Sequence, residues 1–92
     1  MNDHSNRILS RMLLLVSKYR LGEINLAYLV DSLDGSLDAL EEKLPDEWKD
    51  KWSRKMIGLD TYLALGLEAE KRSEILENLV QLDKLIQELL LI

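Results

Sequence analysis

The sequence predicts an all-α protein, a four-helix bundle that is most simply up-down and antiparallel. Two observations carry this. Four segments repeat apolar residues every three to four positions, and none alternates with the two-residue period of a half-buried strand. The apolar share is mostly leucine, with no phenylalanine and few β-branched residues, and leucine, alanine, glutamate and lysine favour helix over sheet. A length of 92 residues suits one domain spanning residues 1–92 and is too short for two.

The first helix is expected over about residues 5–20. Ile8, Met12, Leu15, Val16 and Tyr19 share one face, and Leu9, Leu13 and Leu14 widen it. Ser5 is the expected N-cap and Gly22 the stop, since glycine enters the left-handed region without steric cost. The second helix is expected over about residues 26–43, capped by Asn25. Its stripe is Leu26, Leu29, Val30, Leu33, Leu37 and Leu40. Gly35 falls opposite that stripe, so the helix should continue through it. Ser32, Gly35, Ser36 and Ala39 form a strip of small residues where another helix could approach closely.

Pro45 should end the second helix and open the third at its first helical position, with Asp46 and Glu47 at the favourable end of the dipole. The third helix is expected over about residues 45–65. Trp48, Trp52, Met56, Leu59 and Leu63 lie on one face, and Gly66 should stop it. The fourth is expected over about residues 69–90. Its seam of Ile75, Leu79, Leu82, Ile86 and Leu89 is flanked by Leu76, Val80, Leu85 and Leu90. So wide an apolar surface asks for a central place in the bundle or for a helix from another chain.

Composition narrows the function classes. With no cysteine, disulfides, thiolate zinc sites and thiol catalysis are excluded. The longest apolar run, residues 12–16, is far short of the ~20 residues that span a bilayer, so a membrane location is not expected and a cytoplasmic one is. A net charge of −5 argues against nucleic acid as a direct partner and for a basic protein. His4, the one histidine, sits near a terminus. Neither a metal site nor a cofactor is expected, because the Glu-x-x-His pairs of helical metal bundles are missing. Glu74-Ile-Leu-Glu77 has half of the carboxylate pattern of all-α nucleotide pyrophosphatases, but no matching Glu-x-x-Asp follows. The chain is therefore read as a non-enzyme.

The charge is unevenly distributed. Residues 23–50 hold nine acids and two bases, a balance of −7, whereas residues 1–22 are at +3 and residues 51–92 at −1. At ~100° per residue, Asp31, Asp34, Asp38, Glu41 and Glu42 fall together beside the leucine stripe. This ridge is either a solvated flank or a docking surface for a basic partner. Asp46 and Glu47 extend it into the turn that follows. Trp48 and Trp52, one turn apart, are expected in the core; the alternative is that one is a partly exposed anchor beside the acidic turn. The candidate partner-binding residues are thus Asp31, Asp34, Asp38, Glu42, Asp46, Glu47 and Trp48.

Tyr19-Arg20-Leu21-Gly22-Glu23-Ile24, Leu29-Val30, the leucines at 37 and 40, and Glu47-Trp48 with Trp52 together resemble small helical bacterial proteins of the toxin-immunity type, which accompany contact-dependent or colicin-like toxins. The resemblance spans roughly residues 19–63. Asp60, after Leu59, stands where that pattern more usually has glutamate. The resemblance implies a cognate toxin, commonly a basic nuclease domain, held by an acidic surface. The alternative is a structural homodimer or assembly adaptor that joins copies through Ile75, Leu79, Leu82, Ile86 and Leu89.

Overall fold

A computed structural model describes residues 2–40 and 43–91. Four helices follow in order: α1 (Asp3–Arg20), α2 (Leu26–Asp38), α3 (Asp46–Ala64) and α4 (Arg72–Leu90). No strand occurs among the described residues. Each helix has two close neighbours, α1 and α3 both lying between α2 and α4, and the backbones of the diagonal pairs stand farther apart. The four-helix bundle is thus as expected. Trp48 meets Leu85, and a Cβ at Gly58 would meet Asn78, so α3 and α4 run in opposite directions.

Local chemistry sets the helix ends. Asn2, not Ser5, caps α1: its side chain accepts the Ser5 N–H at 2.8 Å, and Ser5 itself is fully buried. This moves the start of α1 two residues earlier than the sequence suggests. Gly22 and Gly66 adopt φ of 77° and 67°. Around them Glu23 N–H donates to Lys18 at 2.9 Å and Leu67 N–H to Tyr62 at 2.9 Å, so α1 and α3 both close with the left-handed glycine arrangement anticipated from sequence.

Asn25 caps α2 by accepting the Tyr28 N–H at 2.8 Å. A second cap was not foreseen. One Glu68 oxygen accepts the Leu26 N–H at 2.9 Å and the Tyr19 hydroxyl at 3.2 Å, tying the end of α1 and the start of α2 to the α3–α4 connection. That engagement accompanies a turn at residues 68–71, and α4 begins at Arg72 rather than Ala69. Burial and the adjacent Glu68 carboxylate raise the Tyr19 phenol above its usual pKa of 10.0, against the smaller opposing pull of Arg72.

The expected extension of α2 to residue 43 does not occur, because the helix ends at Asp38. Its last turn has an aspartate and no base, which opposes the helix dipole. Leaving the helix also lets Leu44 reach the core, where it is 7% exposed. Pro45 is the N-cap residue of α3, one position before the place expected for it.

The core draws on every helix. Leu9, Met12 and Val16 of α1 meet Leu26, Leu29 and Leu33 of α2, Trp52 and Leu59 of α3, and the α4 seam in one cluster. Burial bears on two alternatives that the sequence leaves open. Ile75, Leu79, Leu82, Ile86 and Leu89 are all at most 1% exposed inside this single chain, so the seam suggested as a contact between copies is taken up by the chain's own core. Trp48 is also interior. Its ring stacks on Trp52 with centroids 5.2 Å apart, and its indole N–H donates to the Leu85 carbonyl at 2.8 Å. Stacking and this hydrogen bond hold it in the core, the place expected for both tryptophans, with 4% of its surface exposed beside the acidic turn. An ion pair of 2.7 Å between Arg20 and Asp83 joins the end of α1 to α4.

A candidate protein-binding surface on the second helix

The leucine stripe that buries Leu26, Leu29, Val30 and Leu33 fixes the rotation of α2 about its axis. Spacing then places Asp31, Asp34 and Asp38 together on the flank towards α3, and all three are exposed. Asp60 of α3 joins them. The Asp34 carboxyl is held above its usual 3.8, first by partial desolvation and then by the charges of Asp60, Asp38 and Asp31. Linear charge counting misses Asp60, since its place beside Asp34 depends on how α2 and α3 pack.

The predicted ridge divides in two. Asp46 pairs with Lys49 at 3.6 Å and Glu47 with Lys51 at 3.4 Å, one turn along α3 in each case, and Asp50 pairs likewise with Arg54 at 2.9 Å. These acids are exposed but locally compensated. Asp31, Asp34, Asp38 and Asp60 have no ion-pair partner among the described residues. Glu42, assigned to the same ridge, and its neighbour Glu41 lie outside the described residues.

The opposite flank of α2 borders an open groove of about 340 Å³ against α1. Ile8, Arg11 and Leu15 line it from α1; Tyr28, Ser32, Gly35, Ser36 and Ala39 line it from α2. The predicted small-residue strip is therefore its floor. The Ser36 hydroxyl donates to the Ser32 carbonyl at 2.7 Å, so that polar group is turned back onto its own helix. Space above Gly35 is open, with nothing within 4 Å of where a Cβ would stand.

Glu74 and Glu77 are exposed on α4, and no group of three potential metal ligands occurs among the described residues. No described helix is long and apolar enough to cross a membrane. What α2 presents is an anionic bank able to attract and orient a cationic surface, beside a floor that backbone can approach closely. Comparison with known proteins yields no protein family, no curated protein and no solved structure that matches this chain.

Proposed function

We propose that this chain is a protein-binding protein whose recognition surface is the acidic flank of α2, extended by Asp60. More narrowly, it is an immunity protein that neutralises a basic toxin domain by covering it. The observation carrying this is the set Asp31, Asp34, Asp38 and Asp60, without an ion-pair partner among the described residues while the acids at the start of α3 are paired one by one. A flank serving only solubility gains nothing from concentrating repulsion around one carboxylate. A cationic partner turns that repulsion into attraction. Exposed charge of this kind speeds encounter, and contacts on the adjacent α2 surface then set the lifetime of the complex.

The test is kinetic. Affinity capture with this chain as bait, or expression of a basic toxin domain encoded beside it, supplies the partner. Association is then followed by stopped-flow fluorescence. Reversing Asp34 and Asp38 to lysine slows association and flattens its salt dependence, whereas reversing Glu77 and Glu88 on α4 does much less. Equal behaviour of the two double variants removes the physical basis of the proposal.

A further inference from the structure

We propose that the groove between α3 and α4 binds a small polyanion, a ligand carrying a diphosphate group. This goes beyond the function proposed above and uses a different face of the molecule. The groove is an open hollow of about 230 Å³, lined by Lys51 and Lys55 from α3 and by Gln81, Lys84, Leu85 and Glu88 from α4. Three lysines thus border one hollow in a chain of net charge −5. Along α3, Lys49, Lys51 and Arg54 each pair with an acid three or four residues back. Lys55 does not. It is half-buried, and the positions three and four away hold Lys51, Trp52, Gly58 and Leu59, none of them acidic. Lys84 also has no ion-pair partner among the described residues, although Glu88 follows it by one turn. Lysine before glutamate is the weaker order at that spacing.

The Trp48–Leu85 hydrogen bond and the approach of Gly58 to Asn78 fix the register of the antiparallel pair. Lys51 falls level with Lys84, and Lys55 level with Gln81. The two lysines of α3 stand about 6 Å apart along the helix, and neighbouring helix axes run about 8–10 Å apart. That spread is wide for one phosphate to engage all three ammonium groups, and it suits two linked phosphates. Lysine meets phosphate as a compact charge with three donors, and the Gln81 amide adds two more. Leu85 is the buried, apolar floor. Glu88 lies one turn beyond Lys84, where its carboxylate repels an anion and sets that end of the site. The volume is below the ~300–1,000 Å³ of sites that enclose larger organic ligands, so the diphosphate is the part held in the groove.

The experiment is isothermal titration calorimetry of the purified chain with inorganic pyrophosphate, without divalent cations, at about 0.1 M salt, where charges more than about 10 Å away are screened. Amide chemical-shift mapping accompanies it. The expected result is one-to-one saturation with a dissociation constant of about 0.1–1 mM and shifts centred on residues 51–55 and 81–88. Lys55→Gln with Lys84→Gln weakens binding at least about tenfold. Lys18→Gln with Lys49→Gln changes net charge equally but lies away from the groove, and it alters binding less than about twofold. Glu88→Gln tightens binding about twofold or more, a gain that damage to the fold could not produce. A nucleoside diphosphate that binds the same residues more tightly identifies an organic diphosphate as the ligand; weaker binding identifies the free ion. No saturation up to about 10 mM, equal losses in the two lysine variants, a Glu88→Gln chain that binds no tighter, or shifts centred on the bases of α1 overturns the proposal. No partner protein enters these measurements, so their failure is separate from failure of the proposed function.

Discussion

Replacing Asp34 by asparagine should make this protein more stable, by an amount that depends on pH. The substitution keeps the shape and removes one charge. Asp34 has like-charged neighbours at Asp31 and Asp38 on its own helix and at Asp60 on α3, with partial desolvation as the larger cause of its raised pKa. Like charges at helical spacing cost a few tenths of a kcal/mol per pair, and an exposed side chain keeps solvent screening, so the expected gain at pH 7 is about 0.5–1 kcal/mol. For a domain of this length that is a rise of about 2–6 °C in melting temperature. A carboxyl whose folded pKa is raised binds its proton more tightly in the fold. The penalty of the ionised form is therefore complete above the folded value and gone below the unfolded value of about 3.8. The advantage of Asp34→Asn should accordingly be full at neutral pH and vanish as pH falls through the folded pKa towards 3.8. Thermal melts of both proteins by circular dichroism across that range measure it. No gain at neutral pH, or a gain that persists in acid, would show that Asp34 does not sit in a repulsive cluster.

Two further substitutions test the packing. Trp48→Phe and Trp52→Phe remove the same volume from one stacked pair, but only the Trp48 N–H has an acceptor among the described residues. Trp48→Phe should be the costlier by about 1–2 kcal/mol in urea denaturation, and equal costs would mean that the bond to Leu85 contributes nothing. Glu68→Ala should lose about 1–3 kcal/mol, because it strips the acceptor from the Leu26 N–H and the Tyr19 hydroxyl, whereas Glu68→Gln should retain most of that stability; identical losses would assign the effect to something other than hydrogen bonding.

Local features of the fold were legible where one residue type solves one steric or hydrogen-bonding problem. Asn25 reads as a cap, and Gly22 and Gly66 as left-handed stops, whereas the α4 seam reads equally as an interior face or as a contact with another chain. Features that depend on two distant segments were not legible. The Glu68 cap requires α1, α2 and the α3–α4 connection to meet, and no spacing in the sequence encodes that. The early end of α2 was hidden because Leu37 and Leu40 continue the periodic pattern, while the unfavourable acid at the helix end and the inward turn of Leu44 decide against it. The candidate surface was half legible. Helical spacing finds Asp31, Asp34 and Asp38 together, but linear charge counting could not separate them from Asp46 and Glu47, which bases one turn ahead neutralise, nor add Asp60.

The distribution of compensation among the helices favours a binding role for α2. Helix α1 has Asp3 in its first turn and Lys18 and Arg20 in its last, in keeping with its dipole. Helix α3 pairs each of its first three acids with a base three or four residues on. Helix α2 has neither device: it contains three aspartates, no lysine or arginine, and an acid in the last turn where the dipole is already negative. Gly35 removes up to about 1 kcal/mol more of its intrinsic helicity. Its stability is supplied from elsewhere, by the caps from Asn25 and Glu68 and by the burial of Leu26, Leu29, Val30 and Leu33. The costs fall on the solvent side of the helix and the supports on its core side and N-terminus. A cationic surface laid on that solvent side would remove the electrostatic part of the cost, so the same charges that weaken α2 in the free chain would strengthen it in a complex.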